Sequence, residues 1–496
     1  MPNFTFGEIK SKNILLLAAS ISLLEVAVLS SLSFLMATTS MDRNFWVFLL
    51  FALVAGITGF ISTKVVETKR DFNAAQIFQI IAMNFCIVIL LCSLVYLVAD
   101  VRSTFDGALL EAASGITTTS LTNISPESLG NSILFFRSAT QWIGGLGALL
   151  LVFVALPAAG RSEEFDVAFA KSITSQTVSK TLSRLVKFYC ILTLLMGVAF
   201  LIAGMTLFES LCHAFSAVST GGFSTRNASI SGFDSAAIEW VVALSMMFAG
   251  MNIVILWWIW KRKFRLIAKN SELQFYALLV FVCTFFFGVW IRNTGSFGEV
   301  ARDSFFLVAS LLSTTGFSVA DWQFPSAMTG IVLLLLGTGA MAGSTGGGYG
   351  SGRLLQHYRF ARRELTQQLN PKSVRVVKVS GRVIDERALQ RLHGFTAIYI
   401  AIIALGALCL ALANTDASPE EALSLSLTAL ATAGPFIGAG IETSGIAFNA
   451  ATNVTVSILM LIGRLSIFPV AYLGVAFLRT FREGPIRRFG YMGLRR

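Results

Sequence analysis

The chain has 496 residues, 55% hydrophobic and only 13% charged, with a mean hydropathy of +0.73 and a formal net charge of +11. Soluble domains carry about 25% charged side chains, so this composition excludes a soluble enzyme, a disordered scaffold and a disulfide-stapled secreted domain. Apolar runs of about 20 residues, each able to cross a hydrocarbon core, recur from end to end, and the chain reads as an all-α multi-pass membrane protein.

Ten spans are predicted, at 14–37, 45–63, 76–99, 131–158, 185–205, 235–260, 272–291, 324–352, 392–413 and 447–478. The N-terminal tail, 64–75, 159–187, 261–271, 353–391 and the C-terminal tail hold 31 of the 38 Lys and Arg residues. Bases gathered in alternate connections mark the cytoplasmic side, which therefore receives both termini. The basic balance reports topology, and no nucleic-acid partner is expected. The first span follows Lys10 and Lys12 and, from Ile14 to Ala37, exceeds the apolar core of a signal peptide, so it reads as uncleaved. Glu25 inside it is the acid placed within a span, either functional or packed against a neighbour's polar group. Cys86, Cys92, Cys190, Cys212, Cys283 and Cys409 all sit in apolar segments with no CxxC pair, which suits packing rather than a transition-metal or disulfide site.

Four outer connections share one pattern: an amphipathic stretch, a Thr/Ser/Gly turn, and a return to polar residues. The turns are Thr117–Ser120, Ser219–Gly222, Ser313–Gly316 and Ala431–Gly434, with closing positions 102, 94 and 118 residues apart. The second and third extend to STGGFS and STTGFS. Asp106, Glu209, Asp303 and Glu421 precede the closing positions by 13 or 14 residues, a spacing that fits the first turn of a short helix. Each helix would then aim its negative C-terminal end inward, and four such ends around an axis stabilise a cation. All four turns lie on the outer side, so the repeats are parallel, unlike those of inverted-repeat carriers. Turns of this kind present backbone carbonyls that can replace an ion's hydration shell.

These residues resemble the TrkH/KtrB/HKT superfamily of cation transporters, most closely the bacterial TrkH type. The likeness covers about 76–480 and includes QWIGGLGALLLVFVALP (141–157), HAFSAVSTGGFSTRNASI (213–230), AGSTGGG (342–348) and IGRLSIFPV (462–470). It implies four span–pore-helix–span repeats around a central pore, at 76–158, 185–260, 272–356 and 392–480. Around them lie an N-terminal hairpin at 1–75, a basic connection at 357–391 and a tail at 481–496. It implies that potassium is held by the carbonyls of Thr118, Thr119 and Ser120, Thr220, Gly221 and Gly222, Thr314, Thr315 and Gly316, and Thr432, Ala433 and Gly434. Ser120 stands where potassium-selective members usually have glycine, and in plant relatives a serine there accompanies sodium preference. A left-handed backbone costs a non-glycine residue about 1–2 kcal/mol, so Ser120 either loosens the ring or is tolerated because the three other glycines suffice.

Gly343, Ser344, Thr345, Gly346, Gly347 and Gly348 interrupt the span at 324–352, and three consecutive glycines undermine a helix. No Gly-Lys-Ser/Thr follows, so this is no phosphate loop. The resemblance implies an intramembrane gating loop at 342–350 beneath the filter. Relatives often carry a lysine where this chain has Gly350, while Arg353 matches a later arginine of the family. Arg464 is expected within the last span, where burying a charge costs about 2.5–3.5 kcal/mol or more, and is read as bonding the loop and raising the barrier to cations. His213 is read as a structural, hydrogen-bonded histidine of the second pore helix. The resemblance further implies a homodimer and a cytosolic ring of nucleotide-binding regulatory subunits, and the ten bases of 353–391 suit either such a partner or anionic lipid. A proton-coupled solute carrier would need acids at a midplane site, and an intramembrane hydrolase would need paired acids or a Ser/His pair; the sequence offers neither.

Overall fold

The computed structural model describes residues 11–65, 74–155, 178–293, 295–319, 326–372, 375–415, 417–434 and 446–466. The basic tails at 1–10 and 481–496, the connections over 66–73 and 156–177, and the end of the last predicted span, 467–478, lie outside them.

Helices α1 (Ser11–Ser40) and α2 (Phe45–Val65) form the N-terminal hairpin and pack on α3 (Ala74–Val98). Glu25 of α1 accepts a hydrogen bond from Asn84 Nδ2 of α3 at 3.1 Å, and Ser22 Oγ donates to Asn84 Oδ1 at 2.7 Å. The acid thus meets a neighbour's polar group, one of the two readings open from the sequence. The first unit continues with α4 (Phe105–Ile116) and α5 (Asn131–Leu150). The second is α6 (Val178–Ala203), α7 (Leu207–Val218), α8 (Ala236–Ala249) and α9 (Ile253–Trp260), followed by the short α10 (Phe264–Ala268). The third is α11 (Ser271–Trp290), α12 (Phe297–Ser313) and α13 (Ser326–Thr338), followed after a loop by α14 (Ser351–Leu369). A two-residue hairpin, β1 (Lys378–Val379) with β2 (Arg382–Val383), leads to the fourth unit, α15 (Glu386–Ala413), α16 (Pro419–Ala431) and α17 (Ala450–Leu465).

Two predicted spans and one connection differ in detail. The segment 235–260 is not one rod: α8 and α9 meet at an angle of 107°. The segment 324–352 stays helical only to Thr338, because the chain turns at Gly339 and remains irregular to Gly350, a loop three residues longer than 342–350. Most of the connection 353–391 is ordered, as α14 and the hairpin. Among the described residues, seven helices are long and apolar enough to span a membrane, and the bent pair α8–α9 makes an eighth.

The units close into a ring. The second span of each unit packs on the short helix of the next: α5 on α7, α8 on α12, α13 on α16, and α17 back on α4. The closing contact includes a hydrogen bond from Asn453 Nδ2 to Asp106 Oδ2, 2.6 Å long and 347 residues apart in sequence. The four re-entrant helices therefore surround one axis.

Candidate functional site

Each re-entrant helix is started by a hydroxyl. Thr104 accepts from Gly107 N, while Thr206, Ser296 and Ser418 form reciprocal capping boxes with Glu209, Glu299 and Glu421. In the third unit the capping acid is Glu299 and not Asp303, because Ser296 starts the helix about a turn earlier; Asp303 instead pairs with Arg302 at 2.8 Å.

All four helices end in the same reversal. The amides of Thr119, Gly221, Thr315 and Ala433 donate to the carbonyls of Ser114, Ser216, Ser310 and Thr428, and the preceding amides donate to Gly115, Ala217, Leu311 and Ala429. This paired bonding demands a left-handed residue. A threonine supplies it each time, at φ +56° (Thr118), +54° (Thr220), +59° (Thr314) and +50° (Thr432). That conformation is an outlier for a β-branched side chain, and strain of this kind persists where the surroundings over-determine it. Among the described residues, none of the carbonyls of 118–120, 220–222, 314–316 and 432–434 accepts a hydrogen bond. The twelve candidate filter residues are thus brought together with their acceptors open.

Position 120 sits at the centre. A methyl group on Gly222, Gly316 or Gly434 would stand 2.7, 3.4 or 2.6 Å from Ser120 Oγ, which has no partner among the described residues. Ser120 adopts φ +58°, the same hand as Gly222 (+87°) and Gly316 (+86°). The serine keeps the glycine backbone and adds a hydroxyl where the other three turns have none.

Different polar contacts brace the turns from behind. Glu111 on α4 accepts from Thr122, just past the first turn, at 2.6 Å and pairs with Arg137 of α5 at 2.6 Å; both charged side chains are 1% exposed. The Arg137 guanidinium stands 4.1 Å over the Phe223 ring. Gln141 Oε1 accepts from Ser216 Oγ and Phe223 N across the second turn, and Ser310 Oγ donates to Phe317 O across the third. His213 joins Glu209 O (2.8 Å) and Ser224 Oγ (3.1 Å), in line with its structural reading. Sequence reasoning missed Glu111, Arg137 and Gln141. The signal was there: an acid in a short apolar helix, and a base and an amide in the span after it.

Beneath the ring lies the loop 339–350. Thr345 Oγ1 donates to Val218 O of the second unit, and Gly347 N donates to Thr314 Oγ1 of the third. Side chains on Gly347 would collide with Ala431 O and the Thr432 hydroxyl of the fourth. Gly350 has φ +98°, a region L side chains rarely adopt, so the lysine of relatives cannot occupy this backbone without strain. Arg464 is 5% exposed and closes the circle, donating from Nη1 to Thr345 O at 2.7 Å and from Nη2 to Gly144 O at 3.3 Å. It lies in the last turn of α17, which ends at Leu465. A cavity of about 330 Å³ opens below, walled by the loop, Arg464, Glu272 and Arg353.

Four span–re-entrant helix–span units around open carbonyls, with a loop and a buried cation under them, define a membrane cation-pore architecture. The family described as TrkH, cation transport protein, matches residues 43–478, and the chain belongs to that family. It is 30% identical to the Trk system potassium uptake protein TrkG of Escherichia coli K12 over 397 residues, covering 76% of this chain and 80% of the relative. It is 29% identical to TrkH of the same organism over 386 residues, 75% of this chain and 78% of the relative. The crystal structure of the potassium transporter TrkH from Vibrio parahaemolyticus superposes with a TM-score of 0.82 at 25% identity, covering 94% of this chain and 98% of that one.

Proposed function

We propose that the chain is a gated, potassium-translocating pore subunit for uptake across a bacterial plasma membrane, with both termini cytoplasmic. The observation that carries this reading is the fourfold left-handed turn, which leaves twelve carbonyls around one axis without a hydrogen bond from the described residues. Rings of such oxygens replace the hydration shell of a monovalent cation, and the helix C-terminal ends behind them add negative potential. The names of the relatives, potassium uptake proteins of a Trk system, support potassium as the ion. In this reading the loop 339–350 obstructs the path, and Arg464 both fastens it and repels cations. The transport is non-enzymatic. The reading extends to a homodimer regulated by a cytosolic nucleotide-binding ring, which the phrase "Trk system" and the basic cytoplasmic face support.

A second reading, sodium permeation or weak selectivity, is favoured by one observation: the Ser120 hydroxyl lies beside Gly222, Gly316 and Gly434, the glycines that close the other three turns. Flux of potassium and sodium into liposomes holding the purified protein, at matched gradients, separates the two. Potassium well ahead of sodium supports the first. Equal or sodium-favoured flux that Ser120→Gly reverses assigns selectivity to position 120. No flux of either ion, with the cytosolic regulator added, would sink the pore reading.

A further inference from the structure

The basic segment 261–269 has no part in the pore reading. Span α8 breaks at Gly250–Asn252 and α9 departs at 107°, so α9 runs across the span direction instead of along it. Ile253–Leu256 and Trp258 of α9 are buried in the core. Beyond it, Lys261, Arg262, Lys263, Arg265 and Lys269 are all exposed, and no acid occurs from Ile253 to Ser271. Interleaved with them, Trp260, Phe264 and Leu266 are 55%, 62% and 45% exposed. The Lys261 ammonium stands 5.1 Å over the Trp257 ring. Exposed indole and apolar side chains followed by a run of cations match the depth profile of a bilayer interface, apolar below and anionic at the headgroups.

The residues flanking this segment on both sides grip the loop at Ala342 and Gly343. Asn252 Nδ2 donates to Ala342 O at 2.6 Å, and Ile253 N donates to Gly343 O at 3.0 Å. From the other end, Glu272 Oε1 accepts from Ala342 N at 2.8 Å and from Ser351 Oγ at 3.1 Å. Ala342 is therefore clamped through its carbonyl and its amide, and the clamp's two arms are joined by the basic segment.

We propose that 261–269 binds anionic phospholipid headgroups of the inner leaflet and, through Asn252 and Glu272, holds the loop in its filter-side position. The binding stands on its own; its effect on flux rests on the pore reading above. The test uses the full chain in vesicles carrying either brominated phosphatidylglycerol or brominated phosphatidylcholine at equal bromine content. Tryptophan fluorescence is expected to be quenched more by the anionic lipid, and Trp260→Phe to remove much of that excess. The excess is expected to shrink at high salt and to vanish in K261Q/R262Q/K263Q/R265Q, whose altered side chains are exposed and whose fold is checked by elution as a single peak. Each neutralised base should weaken the anionic preference roughly fivefold. Equal quenching by the two lipids, or an excess that survives in the variant, overturns the proposal. So does protection of Lys263 from trypsin by cytosolic extract but not by phosphatidylglycerol vesicles, which assigns the segment to a protein partner. Raising the phosphatidylglycerol fraction should lower cation flux in the wild type and leave the variant unchanged. Indifference of the wild-type flux refutes the coupling to the loop. An anionic quenching excess with no cation flux at all leaves the lipid site standing and removes the pore reading.

Discussion

Arg464 donates to carbonyls of two different units, the loop's Thr345 and the first unit's Gly144, and no carboxylate pairs with it among the described residues. A hydrogen bond to a charged group contributes about 1.5–3 kcal/mol, so removing these donors shifts a closed–open equilibrium by roughly tenfold or more. Arg464→Ala is expected to raise basal cation flux by that order in liposomes, and unchanged flux in folded protein would remove the gating role proposed for it. Glu111 and Arg137 are a different kind of charge, a pair sealed behind the first turn. Breaking one partner of a buried pair costs about 3–5 kcal/mol because the other stays charged without compensation. Glu111→Gln should lower the thermal midpoint in detergent markedly, with Glu111→Gln/Arg137→Met recovering part of the loss. An Arg137 indifferent to the Glu111 change would show that the pair does not brace the turn.

Among the elements, the re-entrant helix with its turn was the most legible part of the sequence. A hydroxyl, an acid and a Thr/Gly reversal recur in order, and each has a local physical reason. Asp303 misled because two acids compete in the third unit, and the hydroxyl that decides between them, Ser296, is placed to cap with Glu299, three residues on. The bracing groups Glu111, Arg137 and Gln141 stood out as polar residues in apolar segments, but their partners were not legible, since neighbouring helices bring them together only in the fold. Likewise the break in the second unit's last span hides in an apolar sequence; only Gly250 and Asn252 mark it. At the loop's end, the Tyr349 hydroxyl bonds His357 Nε2 of α14 at 2.7 Å and Thr396 Oγ1 of α15 at 2.6 Å, those two bond each other at 2.8 Å, and His393 packs against His357. Burial first, and then the His393 charge, hold His357 below its ordinary pKa of 6.5. The native state thus favours neutral His357, and its contribution is present above that pH. On acidification the unfolded chain takes the proton first, so stability is lost below pH 6.5. The thermal midpoint should fall more steeply between neutral and mildly acid pH in the wild type than in His357→Asn, and parallel curves would refute this.

At the scale of the whole molecule, the ring is held by each second span leaning on the next unit's re-entrant helix. The seam between last and first units includes Asn453 and Asp106. Asn453→Ala is expected to cost about 1–3 kcal/mol, seen as faster amide exchange in α4 and α17 with little change in α8 or α12. Uniform exchange across all four units would show that the seam is no weaker point than the others. The seam also sets an order of events during synthesis. A ribosome that has delivered the first unit has made a re-entrant helix whose packing partner is still 347 residues away. Its strained Thr118 and inward hydroxyl at Ser120 must wait in the bilayer without the opposite wall. A product that stops before α17 therefore cannot conduct through a finished filter: the hole at the centre comes into existence only when that helix arrives.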